Sequence, residues 1–392
     1  MTVTKKLKIV HIIPFYYPVI GGMEELVKNI AETLAEKGHD IDIFTTDRDH
    51  EGKIVNSPRK ERINSVNVYR FRTFFKFGFM SFFPGIIWSL LRKKYNIIHL
   101  HSYRHPHTEI ASFIGAIKSV PTILHGHGPF YSDTISKWKF ICYSAYDFIA
   151  RYSILKRISM IVASTEIEKK EYIKRGVSEH KIKVLPNGLR NIYFSNVNTA
   201  EVLKQYALLG KKTILYVGRL HPNKRIDALI SSLPQIIKHE PRAYLLLIGP
   251  GADYYPYLNM LAHKNKVEKH FKWLGAVSEL EKIMLYNAAD CFVMPSDYEP
   301  FGLVLLEAMA AKKPVIAIKA GGPTEIVEDG QTGFLIERNN TKQLENTILM
   351  LLQNPDLANK IGSNARLRAE EFRLSKMVDR IEAIYYDLVK KL

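Results

Sequence analysis

The chain has 392 residues, more than one hydrophobic core ordinarily supports, so two domains of ordinary size are expected. With 46% hydrophobic and 24% charged residues and a mean hydropathy of −0.11, the composition is that of a soluble globular protein and excludes a disordered or fibrous one. Two cysteines, Cys142 and Cys291, exclude a disulfide framework and a four-thiolate metal site, and a formal net charge of +17 calls for an anionic partner: nucleic acid, phospholipid or a phosphorylated substrate.

In chain order, apolar β-rich runs alternate with amphipathic stretches of helix length, the pattern of an α/β chain with mostly parallel, buried strands. The front half offers KIVHIIPF (8–15), a helix from Gly22 through Lys37, and DIDIFTT (40–46). VNVYRF (66–71), NIIHLHS (96–102), PTILHGH (121–127), SMIVAST (159–165) and KIKVLPN (181–187) follow as strands. The back half restarts with KTILYVGR (212–219), AYLLLIGPG (243–251), VEKHFKWLG (267–275), DCFVMPS (290–296), PVIAIKA (314–320) and GFLIE (333–337). The turn formers Pro186, Asn187 and Gly188 place the joint between Asn187 and about Lys211. Two doubly wound domains, 1–190 and 191–370, are predicted, with an amphipathic helix over 371–392 packing back on the first. Such domains bind ligands at the carboxyl ends of their strands, here in a cleft between facing sheets.

No signal peptide is expected, because the first apolar run reads as a strand entering a Pro-bearing loop. The longest uncharged run, Phe77–Leu91, has fifteen residues broken by Gly78, Pro84 and Gly85, too few to span a bilayer. The charge is uneven. Residues 1–190 carry 30 Lys and Arg against 17 Asp and Glu, whereas 191–392 carry 26 against 22.

The richest segment is SDYEPFGLVLLEAMAAKKPVIA (296–317). Glu299 ends a loop after a strand, Pro300, Phe301 and Gly302 open a helix, and the N–H groups of Gly302, Leu303 and Val304 at that start suit an anion. Glu307 follows two turns on. Arg219 and Lys224 lie just past the strand 212–218, where a bidentate guanidinium and a point charge suit a diphosphate without metal. Gly21 and Gly22 open the first helix, and Gly249 and Gly251 follow a strand; each pair also reads as an ordinary turn.

Glu299 and Glu307 within EPFGLVLLE resemble the E-x7-E signature of the retaining glycosyltransferases of family 4 (glycosyl transferases group 1). GGMEELVKNIAETLAEKGHDIDIFT (21–45), VGRLHPNKRID (217–227) and GGPTEIVEDGQTGFLIE (321–337) are similar, in order and spacing, to that family's first glycine-rich loop, its G-R-x5-K phosphate segment and the tail of its donor domain. The resemblance spans nearly the whole chain. It implies the GT-B fold, two Rossmann-like domains facing a central cleft, and a retaining, hexosyltransferase-type enzyme. A nucleotide sugar such as a UDP- or GDP-sugar would be the donor, and an acceptor hydroxyl the recipient.

On that basis Arg219 and Lys224 would hold the diphosphate, Glu299 would lie near the donor sugar, and Glu307 would bind the ribose. Gly21, Gly22, Gly249, Phe301, Gly302, Leu303 and Val304 would line the donor site. His125 matches the family's histidine on the donor sugar, with His127 two residues on and His99 and His101 toward the acceptor. Retention would proceed by front-face attack through an oxocarbenium-like ion pair, the leaving phosphate taking the acceptor's proton, in contrast to the two-carboxylate glycosidases. No metal is expected: no Asp or Cys joins the histidines at ligand spacing, and Asp40–Asp42 and Asp47–Asp49 lack the context of metal-binding D-x-D motifs.

The acceptor side is the basic half. Within 53–95, YRFRTFFKFGFMSFFPGIIWSLLRKKY (69–95) interleaves aromatics with cations, read either as a core helix with snorkelling Lys and Arg or as a patch for an anionic membrane surface. The second reading places the enzyme in the cytoplasm, peripheral on the inner face of the membrane, with a glycan or lipid-linked acceptor. No nucleic-acid motif accompanies the charge. A nucleotide-sugar epimerase of the same fold, or a non-catalytic sugar- or membrane-binding module, are the alternatives.

Overall fold

The computed structural model describes residues 6–19, 21–77, 80–130 and 137–391. The chain divides into two units: Met1–Gly188 with Leu374–Leu392, and Leu189–Arg373.

Unit 1 is built on β1 (Lys8–Ile12), β2 (Asp40–Thr46), β3 (Lys60–Ile63), β4 (Val66–Phe71), a hairpin of β5 (Phe75–Phe77) and β6 (Met80–Phe82), and β7 (Ile97–His101), β8 (Thr122–His125), β9 (Met160–Ala163) and β10 (Ile182–Val184). Its helices are α1 (Gly22–Glu36), α2 (Ile86–Arg92), α3 (Pro106–Ile117), α4 (Lys137–Tyr152), α5 (Ile154–Arg157) and α6 (Glu166–Lys174). The eight-stranded sheet runs β10-β9-β8-β7-β1-β2-β4-β3, parallel except for the antiparallel edge strand β3. Strand order reverses between β1 and β7, where doubly wound sheets bind ligands.

Unit 2 carries β11 (Lys212–Val217), β12 (Ala243–Ile248), β13 (Phe271–Trp273), β14 (Cys291–Met294), β15 (Val315–Ile318) and β16 (Gly333–Ile336). Around them lie α7 (Ala200–Gln205), α8 (Ile226–His239), α9 (Tyr255–Lys264), α10 (Glu279–Ala288), α11 (Leu303–Ala310), α12 (Pro323–Ile326), α13 (Thr341–Gln353) and α14 (Pro355–Ala369). All six strands are parallel in the order β13-β12-β11-β14-β15-β16, and the reversal falls between β11 and β14.

The last helix, α15 (Leu374–Lys390), belongs to unit 1. Its stripe Leu374, Met377, Val378, Ile381, Tyr385 and Leu388 repeats every three or four residues, the spacing of one helix face. That face joins the core of Ile9, Ile13, Leu26, Val27, Ile30, Ile97 and Ile123 beneath α1. Lys37 Nζ fixes it at 2.7 Å from Asp379 Oδ1, and His39 Nε2 at 2.9 Å from Glu382 Oε1.

The basic segment departs from expectation. The core-helix reading of 69–95 gives way to a hairpin and the short α2, because alternation in 71–82 is of period two and Pro84 and Gly85 stop the strand. Gly78 lies outside the described residues. Several of its cations are engaged within the unit: Arg70 is buried against Glu61 and the Tyr17 carbonyl, and Lys93 lies 2.8 Å from Asp42 Oδ2. Arg59, Lys60, Arg62, Arg72, Arg92 and Lys94 stay exposed, beside exposed Phe74, Phe75, Trp88 and Leu91. Among the described residues no helix is long and apolar enough to cross a membrane.

Candidate functional site

In unit 2 the loops after β11 and β14, the two strands at the reversal, carry the charged residues. Gly218, Arg219 and Leu220 leave β11 and enter a 3-10 turn at Pro222–Lys224, and Arg225 then takes a left-handed conformation (φ 53°) to start α8. After β14 the loop Pro295–Pro300 leads to Gly302, left-handed at φ 104°, which caps α11. A side chain there would be strained, so the glycine sets the angle at which α11 leaves the sheet. Lys224 Nζ sits 2.7 Å from Glu299 Oε2, each side chain 20% exposed. Arg225 Nη1 lies 3.0 Å from Asp297 Oδ1, and Asp297 N donates to the Asn223 carbonyl at 3.1 Å. Two loops distant in sequence are thus tied by ion pairs at the sheet's carboxyl edge. Arg219 is exposed beside them, its carbonyl accepting from Tyr216 Oη at 3.1 Å.

Glu307 is buried on α11 and turned to α10. Tyr286 Oη donates to its Oε2 at 2.8 Å, and Lys282 Nζ lies 3.1 Å away. Burial, with Glu307 beside it, holds the Tyr286 phenol well above its ordinary range, so it remains a donor. Glu299 and Glu307 therefore have different partners: Glu299 a loop cation, Glu307 the polar side of α10. Phe301 is buried in the core against Phe372, so toward a ligand it offers backbone. Leu303 and Val304 also pack on that core. Gly249 has a packing reason of its own: a Cβ there would meet the Gly218 carbonyl oxygen at 2.1 Å, and one on Gly251 would meet Leu220 Cβ at 2.5 Å. Gly321 and Gly322 play the same part beneath Glu299, with Gly322 N donating to the Glu299 carbonyl at 2.9 Å.

In unit 1, Gly21 is the extended N-cap of α1 and Gly22 its first residue, with open space where a Cβ would stand on Gly22. A Cβ on Gly21 would meet Glu24 Oε2 at 2.2 Å. Burial pushes the Glu24 carboxyl up to about 7. His125 ends β8, fully buried, and His127 stands in a left-handed conformation (φ 58°) between Gly126 and Gly128, the two rings stacked at 4.0 Å. His99 and His101 lie on the neighbouring β7, and His101 Nδ1 is 2.9 Å from His127 Nε2. Burial lowers all four imidazoles, His125 to about 3.

Four contributors carry no motif in the sequence. Arg225 hides behind Lys224 in NKRID, and its pairing with Asp297 is invisible at that separation. Lys282 and Tyr286, one turn apart, had no motif to mark them. His11 joins the histidines from β1, and its position between Ile9 and Ile13 was the available signal.

Comparison with known proteins identifies the family and the fold. The model of glycosyl transferases group 1 matches residues 199–368, and that of glycosyltransferase family 4 matches 20–190. An uncharacterized glycosyltransferase of Methanocaldococcus jannaschii is 30% identical, covering 89% of this chain and 90% of its own. An alpha-monoglucosyldiacylglycerol synthase of Acholeplasma laidlawii is 25% identical over 96% of each chain. The solved structure of Anabaena Alr3699/HepE in complex with UDP covers 97% of this chain and 100% of its own, at 22% identity and a TM-score of 0.79. The chain is therefore a hexosyltransferase-type glycosyltransferase of the two-domain GT-B fold, and it belongs to glycosyltransferase family 4.

Proposed function

We propose that this enzyme moves a hexose, with retention, from a nucleoside-diphosphate sugar to a hydroxyl of a membrane-borne, lipid-linked acceptor, without needing a metal on the diphosphate. The observation that carries the reading is the Lys224–Glu299 pair at the β11/β14 reversal, with exposed Arg219 on the same loop. Arg219 and Lys224 neutralise the diphosphate, and Gly302, Leu303 and Val304 present the start of α11 to it. Glu307, oriented by Tyr286 and Lys282, takes the ribose hydroxyls. Glu299 lies against the donor sugar.

The glycosidic C–O bond to the diphosphate breaks first, and its electrons remain on the phosphate oxygen. The acceptor hydroxyl attacks the same face of the oxocarbenium-like sugar, and its proton passes to that oxygen. Charge develops on the diphosphate, where the two cations and the helix start stabilise it more in the transition state than before.

The Anabaena structure, solved with UDP, supports a uridine nucleotide as the first donor to try. The Acholeplasma relative's name supports a lipid acceptor. Exposed Phe74, Trp88, Arg72 and Arg92 support docking on an anionic leaflet, at roughly 1 kcal/mol per cation near the surface. Trp138, Phe148 and Ile149 of α4 are exposed apolar residues as well. The enzyme then works from the cytoplasmic face.

The test is nucleotide release from a panel of UDP- and GDP-hexoses, with liposomes containing or lacking anionic lipid and a lipid acceptor. Release that needs one sugar and the lipid acceptor, and that is lost in Arg219→Ala, supports the reading. Turnover only with a soluble acceptor removes the membrane part, and no turnover with any donor removes the whole.

A further inference from the structure

The central strands of unit 1 depart from their own pattern on one face. Ile9 and Ile13 of the β1 segment, Ile97 of β7 and Ile123 of β8 pack beneath α1 and α15. Strand alternation puts His11, His99, His101 and His125 on that same face. The parallel register sets His11 opposite His99, and His101 opposite His125. Four imidazoles thus replace apolar residues in a row of core positions, at the β1/β7 reversal.

Burying them without partners costs roughly 1–3 kcal/mol for each unsatisfied group. His11 Nδ1 meets His101 Nε2 at 2.9 Å, and His99 Nδ1 meets Tyr385 Oη of α15 at 2.6 Å. His11 Nε2 and His99 Nε2 are buried with no hydrogen-bond partner among the described residues. The ring nitrogens that His11, His99 and His101 offer lie within 4.8 Å of one another.

We propose that His11, His99 and His101 bind one late first-row transition-metal ion, Zn²⁺ foremost, as a structural clasp between β1 and β7. Three imidazoles with neither carboxylate nor thiolate favour Zn²⁺, Ni²⁺, Co²⁺ or Cu²⁺ over Mg²⁺, Ca²⁺ or Mn²⁺. Binding through His99 Nε2 places that ring's proton on Nδ1, where Tyr385 Oη accepts it. That is the outer-shell bond by which metal-bound histidines are commonly oriented. The clasp so reaches α15, the segment that returns to unit 1 from the end of the chain. His101, His125 and His127 form a second triad sharing His101. His125 Nδ1 and His127 Nδ1 of the second triad also lack a hydrogen-bond partner among the described residues. The interior triad is favoured because all three of its rings are buried, whereas His127 is only half-buried. The ion is separate from diphosphate neutralisation, so loss of one reading does not remove the other.

The test uses the untagged full chain, stripped with a chelator. Elemental analysis after Zn²⁺ reconstitution and the visible spectrum on Co²⁺ addition report binding without reference to activity. One equivalent per chain is expected, with a nitrogen-rich Co²⁺ spectrum and a higher unfolding midpoint. His11→Phe and His99→Phe should abolish uptake, with His11→Gln and His99→Gln as substitutes if either fails to fold. His127→Ala should keep it, and Tyr385→Phe should weaken it about 10–100-fold. No uptake by the folded wild type overturns the site. Uptake that survives His11→Phe but is lost in His127→Ala overturns the assignment in favour of the outer triad.

Discussion

The two sheets share a construction and load their carboxyl ends oppositely. Unit 2 sets charged pairs there, Lys224–Glu299 and Arg225–Asp297, each partly open to solvent. Unit 1 sets imidazoles there, packed on one another, with His11, His99, His101 and His125 fully buried and His101 2.9 Å from both His11 and the half-buried His127. Part-exposed cations can exchange an intramolecular carboxylate for a phosphate at small cost, since such pairs contribute about 0–1 kcal/mol. Buried neutral rings cannot accept a proton so cheaply, because desolvation penalises the charged form. One unit is suited to receiving an anion, and the other keeps its imidazoles unprotonated, the state in which ring nitrogens bind a metal ion.

The largest effect expected from breaking this comparison is on unit 1's integrity. Ending the chain at Arg373 uncovers Leu374's partners and the core that Met377, Val378, Ile381 and Tyr385 close, and leaves Gly188 without its packing against Leu374. Each buried side chain of that size contributes about 1.5–3 kcal/mol. Unit 1 should lose its cooperative transition in calorimetry while unit 2 keeps its own.

Next comes catalysis. Lys224→Ala and Arg219→Ala should each lower kcat by roughly 100–1000-fold, the range for removing one preorganised stabilising group, with unfolding midpoints unchanged. Glu307→Gln should instead raise the donor KM about tenfold and spare kcat, as loss of uniform binding does.

Acid should separate the units. Burial lowers His105 to about 4 and His107 to about 3. The unfolded chain then binds more protons below the ordinary histidine value. This stability is fully present at neutral pH and is lost as pH falls from about 6.5 toward 3–4. Each such ring contributes about 1.4 kcal/mol per pH unit in that window. In unit 2, ion pairing lowers Glu240, Glu279 and Glu370, whose contribution persists until the carboxylates protonate at lower pH. At pH 5 unit 1 should melt first; equal losses in both units would contradict the comparison. The smallest effect should be on docking, where Trp88→Ser with Phe74→Ser should weaken sedimentation with anionic vesicles several-fold and leave turnover of a soluble donor unaltered.

Much of the fold was legible because buried parallel strands read as continuous apolar runs, as in KTILYV and AYLLLI. The edge strand β3 and the hairpin β5–β6 were not, because KERI and FKF are short and half polar and their pairing is decided by neighbours distant in sequence. At the site, Glu299, Glu307, Arg219 and Lys224 stood out because a motif fixes their spacing. Arg225 and Lys282 did not, since their partners Asp297 and Glu307 are reached only through the fold. The histidines were visible singly, yet their grouping required the register of β1 against β7, which the sequence of one chain does not state.

Glu299, the carboxylate of unit 2's charged pair, is the group whose removal bears most on the proposed transfer chemistry. Single-turnover transfer by Glu299→Gln, against wild type at saturating donor, measures it most directly. A fall of roughly 100-fold or more in the transfer rate is expected, with donor affinity kept within about tenfold. Transfer at the wild-type rate would contradict it.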